Sequence, residues 1–295
     1  MEFHDLDVFL AVVKEKSFSR AAQRVFRTQP AVSLSIRRLE EELNGELFDR
    51  SSKEPILTDL GRIILDYAEQ ILNIRNQIEP AVHELKNLQR GRIRIGANES
   101  GVMFVLPYIA AFRQKFPEIH IDVVRAQAKD IPQELHKRFI DLGVLTYDPK
   151  DPNILTTAVY EDQSAFVVHP IHPLAKKRVA TLEQLGKESF AAHNVESPFR
   201  KRIIKTFEDA KIPLKIVVEL PTLDAIKKFV LMGQAVAVLP KMCVQSELDR
   251  GELVEVKVLE IRSLKRKLRL AQLKTQSKSV AAQKFMEEAT RLSNR

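Results

Sequence analysis

Residues 17–50 read SFSRAAQRVFRTQPAVSLSIRRLEEELNGELFDR. Ser17 is placed to cap a helix that starts at Phe18, its hydroxyl accepting from a backbone N–H that has no partner within the helix. Phe18, Ala21, Ala22 and Val25 then recur at helical spacing, which gives one apolar face with two small residues where a second helix can approach. Phe26-Arg27-Thr28 breaks that pattern. Thr28 is a second capping residue, and Pro30 suits a first helical turn, where a missing N–H costs little. Val32, Ile36, Leu39 and Leu43 form the buried stripe of a second helix, and Asn44-Gly45 supplies a left-handed stop. Two helices joined by about three or four residues are the signature of a helix-turn-helix.

The other face of the second helix carries Gln29, Ser33, Arg37 and Arg38. A recognition helix enters the major groove with such groups, since Gln pairs with adenine and Arg with guanine or phosphate. Between Lys14 and Arg38 seven basic residues face one acid, Glu15. This local patch matters more than the net charge of +8. Residues 1–90 hold 13 Lys/Arg against 15 Asp/Glu, so DNA affinity must come from the patch and not from bulk charge. The competing reading is a solvated helical hairpin within some other domain.

The order FHDLDVFLAVVKEKSF, SRAAQRV, TQPAVS, IRRLEEEL, LFDR and LTDLGRIIL resembles the LysR-type transcriptional regulators, most specifically over the first ~65 residues. The resemblance implies a winged helix-turn-helix, with Leu47-Phe48-Asp49-Arg50 leading into the wing and Leu57-Thr58 leaving it. The candidate DNA-contacting residues are Ser17, Arg20, Thr28, Gln29, Pro30, Ser33, Leu34, Arg37, Arg38 and Arg50. Two departures stand out. Leu34 and Ser35 occupy positions where many members have Arg and Gln, and Asn44 stands where Gly is usual.

Length and composition fit this reading. A chain of 295 residues can bury two or more real cores. Its only cysteine, Cys243, excludes an intrachain disulfide and suggests a reducing compartment. No signal peptide is evident, and no stretch has the ~18 uninterrupted apolar residues of a membrane helix. A cytoplasmic protein with no membrane partner is expected. The expected divisions are a DNA-binding domain over 1–58, a linker helix over 59–88 and an effector domain over 91–295. Within the last, one lobe spans about 92–161 and 268–295, the other about 162–267.

After Thr58, Leu60, Ile64, Tyr67, Ile71, Ile74, Ile78, Ala81, Leu85 and Leu88 alternate at four- and three-residue steps. That is a heptad seam over four repeats. Either the helix packs on its own domain or it pairs between chains. The resemblance implies pairing, with Ile64, Tyr67, Ile71, Ile74 and Ile78 in the interface and a homodimer or homotetramer as the product. Pro80 is expected to kink or end the helix near Asn76 to Glu79, and Leu88 to Gly91 to form a hinge.

Beyond the hinge, strand and helix patterns alternate. Strands are expected at 92–96, 119–125, 142–145, 165–168, 190–192, 216–220, 235–239 and 269–273. Helices are expected at 102–116, 131–139, 198–209, 223–232 and 280–292. The fold class is therefore an N-terminal all-α winged helix-turn-helix with a long linker helix, followed by an α/β region. The resemblance refines the latter to a two-lobed effector domain like the periplasmic binding proteins.

A ligand cleft between lobes would lie at strand ends and helix N-termini, which favour anions. Asn98-Glu99-Ser100, Ser197 with Arg200, and Thr222 each precede a helix. The resemblance matches Ser100, Thr222 and the loop around Thr146 to an effector pocket. The candidate effector-binding residues are thus Asn98, Ser100, Thr146, Ser197, Arg200 and Thr222, each of which could equally be an ordinary cap. Helix N-termini favour an anionic effector, while Glu99 argues for an amine; both remain open.

His169 and His172 flank Pro170 in a loop without metal-ligand spacing, and no Gly-rich phosphate loop or G-x-S-x-G elbow is present. No metal, cofactor or catalytic residue is expected. The run Arg262, Lys265, Arg266, Lys267, Arg269, Lys274, Lys278 contains no acid and reads as a solvated surface. The function expected is a transcriptional regulator binding double-stranded operator DNA under control of a small-molecule effector. The resemblance adds RNA polymerase as a partner. A solute carrier and an α/β enzyme with an accessory domain are the alternatives.

Overall fold

The computed structural model describes residues 1–49, 54–86, 91–195, 197–261, 265–274 and 279–293. The chain forms two units, Met1–Gly91 with Gln133–Ile140, and Arg92–Pro132 with Asp141–Arg295.

The first unit begins with helices α1 (Phe3–Glu15), α2 (Phe18–Arg24) and α3 (Gln29–Leu43). A two-stranded ribbon of β1 (Phe48–Asp49) and β2 (Ile56–Leu57) follows, and then helix α4 (Asp59–Lys86). Leu6, Phe9, Val12, Ala21, Ala22, Val32, Ile36, Leu39 and Leu47 share one core. Phe48 closes it, with its ring 5.5 Å from Phe9 and 5.7 Å from Phe18. Ser17 caps α2 as expected, accepting from the Arg20 amide at 3.3 Å. Asn44 ends α3 in the left-handed region at φ 52°. Thr28 has capping backbone geometry, but its hydroxyl makes no cap bond. Pro30 explains this in part: one of the two amides that a cap oxygen normally receives is absent there. At the wing's exit the Thr58 hydroxyl does cap, accepting from the Gly61 amide at 3.0 Å and donating to the Glu46 carbonyl at 2.6 Å. A methyl group on Gly61 would lie 2.2 Å from the Leu47 carbonyl oxygen, so the start of α4 is seated against the wing's backbone.

Two expectations for α4 are corrected. The helix runs unbroken from Asp59 to Lys86, so Pro80 does not end it. A proline removes one backbone hydrogen bond, while the turns on either side keep theirs. The heptad seam is also divided. Leu60, Ile64, Leu65, Ala68, Ile71 and Leu72 pack on the unit's own core, because a helix that covers a three-helix domain must spend one stripe on it. Tyr67, Ile74 and Ile78 stay exposed, together with Ile63. Ala81 and Leu85 have no described side-chain environment, and Leu88 lies outside the described residues, as does the hinge up to Arg90. Arg75 ties α4 to α1 through Asp7 at 2.7 Å.

The second unit runs through β3 (Gly91–Ala97), α5 (Glu99–Lys115), β4 (Ile119–Arg125), α6 (Ile131–His136) and β5 (Leu142–Leu145), part of α6 falling in the first unit. Next come β6 (Ile154–Val168), α7 (Pro173–Lys177), β7 (Val179–Ala180), α8 (Leu182–Leu185), β8 (Phe190–His193) and α9 (Pro198–Asp209). It ends with β9 (Ile216–Leu220), α10 (Leu223–Leu231), β10 (Ala237–Pro240), α11 (Gln245–Asp249), β11 (Val254–Val258), β12 (Lys265–Leu273) and α12 (Val280–Ser293). One sheet has the order β4-β3-β5-β12-β6-β11-β7, with β10 also on β6, and β8 pairs with β9 in a second.

Strand β6 runs through both lobes of this unit. Over Ile154–Gln163 β6 pairs antiparallel with β12, and over Ser164–Val168 with β10 and β11. One lobe's core joins Ile93, Ile95, Phe104, Phe112 and Val144 to Leu268, Leu270 and Phe285. In the other lobe β6 is buried on both faces. Phe166 and Val168 enter one cluster, Ala165 and Val167 another, as period-two alternation requires. The expected strand at 165–168 is only the end of β6, and α5 begins at Glu99 instead of Val102, with Pro107 inside it.

Candidate functional site

On the first unit Gln29, Leu34, Arg37 and Arg38 are exposed on one side of α3, with Ser33 half-buried between them. The Gln29 amide donates to the Ser33 hydroxyl at 3.0 Å, a bond between adjacent turns that holds both polar groups at the start of the helix. Leu34 is 48% exposed on this face, whereas Ser35 is buried. Leu34 and Ser35 therefore depart from the family pattern in different ways: the first alters the outward surface and the second the packing. Thr28 and Pro30 are exposed at the helix start. Arg20 is exposed but donates to the Glu15 carbonyl at 3.2 Å, and Arg24 pairs with the Glu15 carboxylate at 2.7 Å. The single acid of the basic patch is thus spent on holding α2 to the end of α1. Ser17 serves as a cap. Arg50 lies outside the described residues.

In the second unit a cavity of about 810 Å³ opens where the lobes meet. Asn98, Ser100, Thr146, Ser197 and Arg200 all line it, so five of the six residues singled out from sequence come together there. Thr222 is not among the lining residues. It caps α10, accepting from the Ala225 amide at 3.1 Å. Ser197 caps α9 in the same way, accepting from the Arg200 amide at 3.1 Å. The Arg200 guanidinium is committed to the His193 carbonyl and the Glu219 carboxylate. Asn98 caps α5, accepting from the Gly101 amide at 2.9 Å.

Glu99 has a role that sequence did not expose. Both of its carboxylate oxygens accept from the Leu223 amide at 2.9 Å, and one lies 3.4 Å from the His193 ring. A carboxylate from one lobe thus caps a helix of the other and complements its positive end.

Arg266 corrects the reading of the basic run as solvated surface. Opposite Asp162 in the β6–β12 register, it donates through Nε at 2.8 Å and pairs with it at 2.7 Å through a terminal nitrogen. Asp162 is 3% exposed and the Arg266 side chain 12%. The guanidinium also donates to the Ser100 hydroxyl at 3.3 Å. The partners lie 104 positions apart, so no local pattern could have revealed them. Arg125, Lys129, Arg202, Lys265 and Lys267 also line the cavity, and Glu99 is the only acid among the described residues of its lining. Lys265 and Lys267 are exposed, as expected of the run, while Arg262 and Lys278 lie outside the described residues. Phe190, Phe199, Ile203 and Val238 give the cavity apolar wall.

The remaining candidates have structural places. His172 caps α7 and its ring lies 3.3 Å from Glu188, while the His169 ring accepts from the Ile171 amide at 3.2 Å. Burial pushes the Cys243 thiol up to about 11, so at neutral pH it is a poor nucleophile. No helix among the described residues is long and apolar enough to cross a membrane.

Comparison with known proteins agrees with both halves of this description. Residues 3–62 match the bacterial regulatory helix-turn-helix protein family, lysR type, and residues 86–293 match the LysR substrate binding domain. A probable RuBisCO transcriptional regulator from Synechocystis sp. is 32% identical over 266 residues, covering 87% of this chain and 77% of its own. Among solved structures, full-length CbnR complexed with its target DNA superposes with a TM-score of 0.76 at 19% identity, over 99% of this chain and 100% of that one. The regulatory domain of Synechocystis CcmR in complex with 2-PG superposes with a TM-score of 0.63 at 22% identity, over 70% of this chain and 99% of that one.

Proposed function

This chain belongs to the LysR family, as a DNA-binding transcriptional regulator and not an enzyme, and we propose that a small anion seated between its α/β lobes governs how it acts on operator DNA. The observation that carries the reading is the make-up of the cavity. Arg266 is fixed at the lobe crossover beside Ser100, further cations surround it, and among the described residues Glu99 is the only carboxylate in the lining. Helix starts at Asn98 and Ser197 add N–H groups of the same sign. The amine suggested by Glu99 loses its main support, because that carboxylate is already occupied by the Leu223 amide.

The reading extends to the mechanism. An anion that binds one degree of lobe closure better than another shifts the population toward it. The Glu99 link between α5 and α10 is the contact that such a shift would strengthen or release. Closure would then alter the packing of copies on the operator and so the bend of the DNA. Two copies are proposed to pair through the exposed stripe of Ile63, Tyr67, Ile74 and Ile78 on α4, with a tetramer as the working assembly and RNA polymerase as a downstream partner. The cytoplasm follows as the compartment of a chromosomal regulator.

The test uses the full-length chain and DNA fragments that it selects from a random-sequence library. Titrating 2-PG, the molecule held by the CcmR domain, should raise the melting temperature and change the footprint length or bend. Ser100→Ala should shift the response to higher concentrations. If a panel of phosphorylated and carboxylated small molecules changes neither melting nor footprint, the cavity is not an anion site. For pairing, Tyr67→Glu with Ile74→Glu should yield monomers in light scattering; an unchanged assembly would place the interface elsewhere.

A further inference from the structure

We propose that Phe26, in the turn before the recognition helix, is a DNA-contacting side chain whose ring lies against thymine methyl groups and deoxyribose at the edge of the major groove. The inference begins with the backbone. Phe26 has φ 54°, in the left-handed region. Its amide donates to the Gln23 carbonyl at 3.2 Å and the next amide, of Arg27, donates to the Ala22 carbonyl at 2.9 Å. This is the helix-ending motif whose left-handed position is normally held by Gly or Asn. At the end of α3 this chain itself uses Asn44 in the same conformation, at φ 52°. The other described non-glycine residues with positive φ are Lys16, Arg138, Lys150, Arg178 and Lys211. Phe26 is the one apolar residue among them, and a bulky side chain there is a real outlier.

The ring gains nothing from folding in return. At 93% it is the most exposed of the large hydrophobic residues described. A strained backbone and an unburied aromatic side chain at one position are two costs without a packing benefit. Such outliers persist where function requires them. The location indicates which function. Phe26 lies two residues before Thr28, which occupies the N-cap position of α3, and exposed Arg24 and Arg27 flank it. The first residues of a recognition helix sit deepest in the groove, and the turn before it runs beside the phosphates. The adjacent Arg27 suits those phosphates, and an apolar ring beside it suits sugar carbons and the thymine methyl.

The experiment compares Phe26→Gly and Phe26→Asn in the full-length chain, with a DNA fragment that the wild type selects from a random-sequence library. Both variants relieve the left-handed strain, so each should melt about 2–4 °C higher. Both should bind the selected fragment about tenfold more weakly. The slope of affinity against salt should be unchanged, since no charge is removed. Phe26→Leu, which keeps an apolar contact, should fall between them and the wild type. Raised stability with undiminished affinity would overturn the proposal, because the ring would then serve something other than DNA. Lowered stability in both variants would overturn it too, because the strain on which it rests would be absent.

Discussion

The α3 face and the interlobe cavity are both built from helix starts, arginines and small polar side chains, yet they use them in opposite ways. On α3 the polar groups point outward, and Gln29, Arg37 and Arg38 are exposed. In the cavity they are committed to one another: Asn98 to Gly101, Glu99 to Leu223, Arg266 to Asp162 and Ser100, Arg200 to Glu219. DNA is a long polyanion of fixed repeat, so a surface that meets it needs groups at the right spacing and little else. A small ligand must alter the protein to signal its presence. It can do so only where its contacts replace or reinforce internal ones that differ between two states.

Five substitutions probe that contrast, beginning with the largest effect. Asp162→Ala should be the most damaging, because it leaves Arg266 largely buried without its partner. Such losses run at about 3–5 kcal/mol, and urea unfolding of the full chain measures it. Adding Arg266→Met to Asp162→Ala should recover part of the loss; no recovery would mean that Asp162 matters for its shape and not its charge. Gly61→Ala comes next, since its methyl group would meet the Leu47 carbonyl. About 1–3 kcal/mol of overpacking is expected in the first unit, and a neutral substitution would show that α4 can move off the wing.

Gln29→Ala should leave stability within about 0.5 kcal/mol of the wild type and reduce discrimination between selected and random DNA by about 1–3 kcal/mol. Equal weakening on both DNAs would mean that Gln29 positions the protein and does not read bases. Smallest are the helix caps. Thr222→Ala and Asn98→Ala should each cost about 1 kcal/mol. Only Asn98→Ala should also weaken the anion response, because Thr222 does not line the cavity. Equal effects on the response would mean that caps act there only through helix stability.

Legibility in the sequence followed the range of the interactions. Helix α9 and strands β4, β5 and β9 were predicted to the residue, because caps, prolines and apolar runs act over a few positions. The helix-turn-helix was equally readable, apart from the unused hydroxyl of Thr28. The first half of β6 was missed because Thr156 to Ser164 is mostly polar, and its pairing partner β12 lies far off in sequence. Arg266 was hidden by its neighbours: among so many cations only the fold distinguishes the one that turns inward. For α4 the period was right, but sequence alone does not say which side of an amphipathic helix its own domain will claim.

The position of β12 in the sheet has a consequence for how the protein is made. It lies between β5 and β6, and α12 after it supplies Ala281, Phe285 and Ala289 to the same core. A strand central in space is thus nearly last in order. During synthesis the helix-turn-helix can close on local contacts as soon as it leaves the ribosome, whereas the first lobe of the α/β region must wait for almost the whole chain. A transcript cut short before residue 265 would therefore release a chain with a ready DNA-binding end and an α/β region lacking a central strand and a core helix. Such a product would compete for operators without answering to any effector.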